Sequence, residues 1–187
     1  MGADQSRAIL KAYKQVMDAS WPALHLDMAQ RSLRWDHAAG DELDAELAGY
    51  LEETARSGSP VRIFWKLGSE LIFGGANAAF ARDAGVADPA ELVGIDDFDT
   101  RLPWTRQASK YRDDDEQVFY SRRPRLDIIE RQKHSDDTII WVRVGKVPIV
   151  VDSGEVIGVL GMYEVLDSDV GRKLYAERLQ DPARQGR

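Results

Sequence analysis

The sequence predicts an α+β protein: a five-stranded antiparallel sheet with helices on one face, an N-terminal helical extension and a C-terminal helix. Apolar residues recur at helical spacing through the first third of the 187 residues, and from Pro60 the pattern changes to the alternation of strands. Two strands follow at once and three come last, with short helices between them. These changes divide the chain into an extension at 1–59, a domain at 60–167 and a helix with a polar tail at 168–187.

Three helices are predicted for the extension. The first ends at Trp21-Pro22, because proline cannot continue a helix. Its apolar stripe consists of Ile9, Leu10, Tyr13, Val16 and Met17. The second ends before Gly40, and its stripe consists of Leu24, Met28 and Trp35. The third begins with Asp41 as its N-cap and ends near residues 57–60. Helices with one apolar side need a partner surface.

Five segments have the alternation of strands. The first is "VRIFWKL" (61–67), and "ELIFGG" (70–75) is its hairpin partner. The last three strands are predicted at 125–132, 138–150 and 155–166, with the turns "HSDD" and "VDSGE" between them.

Helices fill the middle and the end of the chain. A short helix begins at "NAAF", and Asp88, Pro89 and Glu91 have the spacing of a capping box with proline at the first helical position. Pro103 begins a longer helix that runs through residues 104–121, and a last helix covers 168–180. The acidic run "DDDE" (113–116) is interpreted as a helix break with capping charges rather than as a cation site.

Composition narrows the range of functions. The net charge is −7 and the basic residues are interleaved with acids, so neither a nucleic-acid partner nor a membrane surface is expected. The absence of cysteine excludes disulfides, thiolate catalysis and cysteine-ligated metals. No apolar run has the length of a bilayer-spanning helix, and the first residues lack the pattern of a signal peptide. A cytoplasmic protein is therefore expected.

Several motifs in order resemble the PAS domains of sensory proteins, across about Val61 to Asp167. "NAAF" resembles the start of the family's first helix, "GIDDFD" (94–99) its Gly-x-Asp turn, and "YRDDDEQVF" the helix before its third strand. Residues 128–161 resemble the family's closing block, with Lys-x-Pro, Asp-x-Gly and Ile-Gly-Val in sequence. The Asp-Ile-Thr ending that often precedes a coiled-coil linker is absent, because the chain has "EVLDSDV" there.

The last strand is apolar on both faces, which implies that both faces of the sheet are covered. Ile157, Val159, Tyr163 and Val165 share one face, and Leu160 and Met162 share the other. The N-terminal helices are expected to cover the first of these faces, in cis or across a dimer. Gly158 and Gly161 are expected where backbone or ligand approaches closely.

The resemblance implies a ligand cavity on the other face, and it suggests which residues line it. Trp65, Leu160 and Met162 are expected to point inward, and Trp104, Tyr111 and Arg112 to face them from the opposite helix. A cavity filled by its own side chains is an equal expectation. Glu130 and Lys146 are expected to form a structural ion pair across neighbouring strands. No metal site is expected.

The resemblance also limits the cofactor. A flavin held by a cysteine adduct is excluded because the chain has no thiol. A histidine-ligated haem is not expected, because residues 104–121 contain no histidine, and His25, His37 and His134 are interpreted as surface or core residues. A non-covalent flavin stays open, since Trp104, Tyr111 and Trp141 could stack on its rings. An apolar Leu160, where flavin-binding light sensors place a glutamine, argues against it. No cofactor is the leading expectation.

The function that the resemblance implies is a sensory module that binds a small ligand or a protein partner. It would dimerise through its helical flanks and pass the signal to a downstream protein or a fused effector. No catalytic motif is found, so an enzyme is not expected. Two alternatives remain: a small enzyme of the cone-shaped fold of ketosteroid isomerases, using carboxylate acid–base chemistry, and a ligand-free structural adaptor. The helices between residues 77 and 121 argue against the cone, whose strands are nearly uninterrupted.

Overall fold

The computed structural model describes residues 1–21, 37–56, 61–133 and 138–179. Two helices precede the sheet: α1 (Ala3–Ser20) and α2 (Gly40–Arg56). Helix α1 ends at the position that Trp21-Pro22 predicted. Helix α2 corresponds to the third predicted helix and begins at Gly40, one residue before the predicted N-cap Asp41. The predicted helix through Leu24 and Trp35, and the turn "HSDD", lie outside the described residues.

The five predicted strands form one antiparallel sheet in the spatial order β2-β1-β5-β4-β3. Their bounds are β1 (Arg62–Leu67), β2 (Ile72–Ala76), β3 (Arg125–Lys133), β4 (Ile139–Val150) and β5 (Val156–Leu166). The first and last strands along the chain, β1 and β5, are neighbours at the centre, where Lys66 pairs with Val159 and Trp65 with Leu160. The pairing of β1 with β5 therefore joins the hairpin of β1 and β2 to the three strands that come last in the chain.

Two of the helices between β2 and β3 begin where their sequence caps predicted, but the helix predicted from Pro103 begins later, at Ala108. Helix α3 (Ala78–Ala84) has Asn77 as its N-cap, whose side chain accepts a hydrogen bond from the Phe80 amide, and Gly85 ends it with a φ of 76°. The capping box of Asp88 and Glu91 starts a 3₁₀ helix at Pro89–Leu92. After a second 3₁₀ turn at Thr105–Gln107 comes α4 (Ala108–Ser121). These elements pack on one face of the sheet.

The opposite face is covered by α1, which packs against β4 and β5 of its own chain. Its predicted stripe is buried, and the sheet residues that it meets include Trp65, Val147, Leu160 and Met162. Both faces of β5 are therefore covered, as predicted, but the assignment of faces was wrong. Val159 and Tyr163 lie on the side of α3 and α4, because strand alternation does not tell which face a set of residues occupies. Ile157, at the start of the strand, packs against the α1 cluster as predicted.

Two glycines of β5 stand where other chain atoms approach, as predicted. A Cβ atom on Gly158 would lie 2.1 Å from the Lys66 carbonyl oxygen, and one on Gly161 would lie 2.2 Å from Cζ of Phe64. Gly161 therefore makes room for the Phe64 ring above the central strand. This ring is part of the site described below.

Helix α5 (Ser168–Leu179) follows β5 and returns across the sheet. The Asp167 side chain accepts a hydrogen bond of 2.9 Å from the Asp169 amide at its start. Gly171 lies against Trp141 of β4, and Tyr175 contacts the same indole with ring centroids 5.2 Å apart. Within the described ranges, no helix has the length and apolar character required to cross a bilayer.

Candidate functional site

A cavity of about 60 Å³ lies between the sheet and the helices α3 and α4. The residues that line it come from all five strands, from both helices and from the connection between them. They are Phe64, Lys66, Phe73, Phe80, Asp83, Asp97, Pro103, Trp104, Tyr111, Glu130, Gln132, Val144, Lys146 and Tyr163. The site is thus built by the whole domain rather than by one loop.

Aromatic rings form much of the wall. Phe80 of α3 is the centre of this group, with ring centroids 4.7 Å from Phe64, 5.4 Å from Trp104 and 6.2 Å from Tyr163. Rings tilted against one another at such distances pack favourably, and all four of these rings line the cavity. The wall on this side of the cavity is therefore largely aromatic.

Four buried charged side chains form a connected network beside the rings. The Lys66 ammonium donates hydrogen bonds of 2.5 Å to Asp97 and to one oxygen of Asp115, and Lys146 donates one of 2.5 Å to the other oxygen of Asp115. All four residues are at most 5% exposed. Lys66 and Lys146 lie on β1 and β4, on either side of β5, so Asp115 of α4 bridges the central strand from above.

The charges in this network stabilise one another. Burial by itself would raise the pKa of Asp115, but the ammonium groups of Lys146 and Lys66 lower it below its ordinary value. Burial would likewise lower the pKa of Lys146, but Asp115 and then Glu130 raise it above its ordinary value. Both groups are therefore ionised at neutral pH. Lys66 also lies over the Phe73 ring, 4.8 Å from its centroid, as cations do beside aromatic faces.

Two further ion pairs lie at the edge of the cavity. Asp83 accepts hydrogen bonds of 2.8 Å from Arg62 and from the Tyr163 hydroxyl, and Glu130 lies 3.2 Å from the Lys110 ammonium. Burial raises the pKa of Tyr163, and the neighbouring Asp83 carboxylate adds to the effect. The phenol therefore stays protonated and acts as a donor over the physiological range.

The structure places some of the predicted ligand residues at the cavity and others away from it. Trp104 and Tyr111 line it. The inward orientation predicted for Trp65, Leu160 and Met162 was wrong, because these residues pack against α1 on the opposite face. Arg112 lies outside the lining, where its guanidinium donates hydrogen bonds to the Glu70 carbonyl and to Asp96. Whether Trp104 and Tyr111 touch a ligand stays a prediction.

The predicted ion pair between Glu130 and Lys146 was also wrong. The two residues lie on neighbouring strands, but Glu130 is opposite Val142 and Lys146 is opposite Arg125. The direct partner of Lys146 is Asp115, and Glu130 pairs with Lys110. The prediction failed because a carboxylate of α4 reaches the strand from above.

Sequence reasoning also missed Asp115. The run "DDDE" was interpreted as a helix break, but α4 continues through it without interruption, and only its third member turns to the core. A signal was present: Asp115 is three positions before Val118, which places both residues on one helical face. Two lysines facing the core on β1 and β4 would need such a carboxylate.

The cavity differs from the sites that a flavin or a histidine-ligated haem would need. A flavin requires a pocket of the class of about 300–1,000 Å³, so a cavity of about 60 Å³ does not fit it. Leu160 does not bear on flavin binding, because that residue faces α1. Among the described residues no histidine lines the cavity, and no three acidic or histidine side chains form a group that could hold a metal.

Comparisons with solved structures show similar folds at low sequence identity. A light-oxygen-voltage domain matches 73% of this chain and 96% of its own length, with a TM-score of 0.52 and 14% identity. The phage VqmA–DPO complex matches 74% of this chain and 61% of its own, with a TM-score of 0.51 and 18% identity. A Vibrio cholerae VqmA dimer matches 57% of this chain at a TM-score of 0.50 and 18% identity.

The match covers only 47% of that Vibrio cholerae chain, so this chain spans about half the length of the VqmA structure that it resembles. No protein-family model matches the sequence. A search of curated proteins finds no match either. Light-oxygen-voltage domains are members of the PAS superfamily, and the described part of the chain has the PAS fold that the sequence predicted.

Proposed function

We propose that this chain is a sensory module that binds a small molecule in the cavity between its sheet and the helices α3 and α4. The observation that carries the proposal is the combination of flat aromatic walls with two buried ammonium groups that reach the cavity. Pockets for small molecules have this character: mostly apolar surfaces with a few polar groups that fix orientation. Solved structures of similar fold belong to sensory domains and ligand receptors.

The buried ions support binding rather than stability alone. Removing four charges from water costs several kcal/mol for each ion, and apolar residues of similar size would often serve a core as well or better (about 1–4 kcal/mol). Where α1 covers the opposite face of the same sheet, the buried core is formed by such apolar residues. A network of buried ions on one face only is the arrangement expected of a site that must orient a ligand.

The route of the signal follows from the alternation of β4. Val144 and Lys146 face the cavity, whereas Gly145 and Val147 face α1. A Cβ on Gly145 would lie 2.9 Å from a methyl group of Val16, so α1 lies directly on this strand. Ligand-dependent displacement of β4 would therefore be passed to α1 and, through Trp141, to α5.

We extend the proposal to the flanking segments. Residues 1–59 and 168–187 would serve as output elements of a PAS domain at 60–167, in a homodimer that acts on a downstream protein or a fused effector in the cytoplasm. The stripe of α1 is already buried on its own sheet, so the dimer would use the outer surfaces of the flanks. Size-exclusion chromatography with light scattering at tens of micromolar tests this extension, and a monomer would contradict it.

Binding without catalysis is the preferred function for this site. A carboxylate acting as general base at neutral pH needs a raised pKa and a free oxygen near the substrate. Asp115 has a lowered pKa and both of its oxygens are occupied, while Asp83 and Glu130 each have a cationic partner. The cone-fold enzyme considered from sequence also differs in fold, because the helices α3 and α4 separate β2 from β3.

A nucleic-acid partner is not proposed for the described residues. Its absence stays a prediction from net charge, because the Vibrio cholerae VqmA of similar fold is a receptor that has a target DNA. The matched region is 47% of that chain, so the likeness concerns only part of it. An electrophoretic mobility shift with random duplex DNA at low salt would contradict the prediction if it showed a retarded band.

The binding proposal is tested on the freshly purified protein and on a variant with a filled cavity. Native mass spectrometry is expected to show a bound small molecule with the wild-type chain, and Val144→Phe is expected to lose it. Val165→Phe makes the same change on an exposed position of β5 and should keep the ligand. An adduct retained by Val144→Phe would contradict binding in this cavity, and loss from both variants would mean that the effect is not local.

A further inference from the structure

We infer that the ligand of this cavity is an uncharged, single-ring aromatic or heteroaromatic molecule whose hydrogen-bond acceptor is held by Lys146 and Lys66. The inference rests on the proposed function and specifies its ligand class. Three properties of the described residues lead to it: the donors left over in the buried network, its charge balance, and the shape of the walls.

The first property is a set of ammonium hydrogens that the network leaves free. An ammonium group has three hydrogens to donate and no acceptor. Lys66 uses two of them on Asp97 and Asp115, and Lys146 uses one on Asp115. Lys146 therefore has two hydrogens without a partner in the described residues, and Lys66 has one. Because buried donors without partners are costly, the matching ligand group is an acceptor: a carbonyl oxygen, a ring nitrogen or a similar atom.

The second property is that the charges already balance. The two ammonium groups of the network are matched by the carboxylates of Asp97 and Asp115. The other two acids of the lining have external partners, Asp83 with Arg62 and Glu130 with Lys110. A ligand with a net charge would add an unmatched ion to a buried site, which is strongly unfavourable. The acceptor therefore belongs to a neutral molecule rather than to a carboxylate.

The third property is the shape of the space. Phe64, Phe80 and Tyr163 present their rings to a volume of about 60 Å³. A flat ring makes the largest contact with such walls and loses little conformational entropy on binding. The volume excludes drug-sized ligands, which occupy pockets several times larger, so the ligand has no more than one ring.

The test uses four probes of one ring with matched size and different polar groups: benzamide, benzoate, benzylamine and toluene. Titrations of the wild-type protein are followed through the indole NH signal of Trp104 in two-dimensional NMR, because this residue lines the cavity. Benzamide is expected to bind at millimolar concentration or below. Benzoate and benzylamine should bind at least ten times more weakly because of their charge, and toluene more weakly because it lacks an acceptor.

A variant of the principal donor sharpens the result. Lys146→Met removes two free donors and leaves one ammonium against two carboxylates. It should lose the advantage of benzamide over toluene and should gain affinity for benzylamine. Lys14→Met makes the same change on α1, across the sheet from the cavity, and should retain the wild-type order of probes. If Lys146→Met does not fold, the four probes on the wild-type chain still decide the question.

Each contrary result points to a different step. Tighter binding of benzoate or benzylamine than of benzamide would overturn the neutral ligand, and equal binding of toluene would overturn the acceptor, while both would leave the proposed sensory function intact. If none of the four probes shifts the Trp104 signal at its solubility limit, the ligand class is overturned. A native adduct lost by Val144→Phe would then still support the proposed function, and its absence would contradict it.

Discussion

The two faces of the sheet are both buried, but they are built by different chemistry. The buried core under α1 is formed by apolar side chains, and Trp65, Leu160 and Met162 are each at most 5% exposed there. The face under α3 and α4 mixes aromatic rings with the ions of Lys66, Lys146, Asp97 and Asp115. The first face has the composition of a packed core, and the second has that of a binding site.

This difference shows what each helix can cover. The α1 stripe contains only apolar side chains and a tyrosine, so it offers no counterion to a buried lysine. Helix α4 carries Asp115, which can accept hydrogen bonds from two ammonium groups at once. The face that contains Lys66 and Lys146 is therefore stable only under α4. Four predictions test this comparison, in order of decreasing expected effect.

Replacing Asp115 should have the largest effect on stability. Asp115→Ala leaves Lys146 buried without its partner and Lys66 with only one, and breaking a buried pair in this way costs about 3–5 kcal/mol. Urea unfolding followed by circular dichroism measures the change. Asp113→Ala, two positions away on the exposed side of α4, is the matched control and should leave the midpoint unchanged. Equal effects of the two substitutions would show that the network does not stabilise this face.

The second largest effect is expected on the opposite face, where shortening a side chain leaves a cavity in a packed core. Leu160→Ala should lower the free energy of unfolding by about 2–5 kcal/mol, through lost burial and incomplete collapse of the space. Because Leu160 faces α1, a folded Leu160→Ala protein should bind benzamide as the wild type does. A loss of probe binding out of proportion to the loss of stability would restore the original prediction that Leu160 lines the cavity.

The third effect in order of size is expected in the pH dependence of stability, because the network of buried ions lies on the cavity face. The pKa of Asp115 is lowered in the folded chain, so its stabilising effect is complete above about pH 4 and is lost as the pH falls through the folded pKa. The pKa of Lys146 is raised, so its effect is complete below about pH 10.4 and is lost above that value. The midpoint penalty of Asp115→Asn should therefore shrink between pH 7 and pH 3. A penalty that is constant over this range would contradict the ion network.

The smallest effect is expected for an ion pair outside the core. Lys11 of α1 donates a hydrogen bond of 2.7 Å to Asp152, and both side chains are at least half exposed. Exposed pairs of this kind contribute little, because water screens them and ordering two side chains is unfavourable. Lys11→Ala should leave the urea midpoint within the scatter of replicate measurements. A clear destabilisation would show that the contrast between buried and exposed pairs is overstated.

Much of the fold could be predicted from local patterns. The caps at Asn77 and Asp88 act within four residues of the chain, so the sequence contains everything that positions them. The alternation of 61–67 and the helical spacing of α1 are local in the same sense. The coverage of both faces of β5 also followed from the sequence, because Ile157, Val159, Leu160 and Met162 leave no polar face.

The site was harder to predict because it depends on contacts between distant segments. The hydrogen bond of Lys66 to Asp115 joins residues 49 positions apart, and that of Lys146 to Asp115 joins residues 31 apart. No periodicity in either strand indicates which acidic residue will meet a lysine. Trp104 and Tyr111 line the cavity, and their position there was predicted only because the resemblance to the PAS fold supplied the geometry of the opposite helix.

By itself, the sequence determined where the helices and strands lie, and that the central strand is apolar on both sides. Only the tertiary structure decided which side faces α1 and which faces the cavity. The physical reason is that hydrophobic burial is non-directional and is satisfied equally by either face. Buried charges, in contrast, require partners in particular directions, so Lys66 and Lys146 must point towards carboxylates. Among the residues that the structure describes, the only element above them that supplies a carboxylate to both is α4, through Asp115.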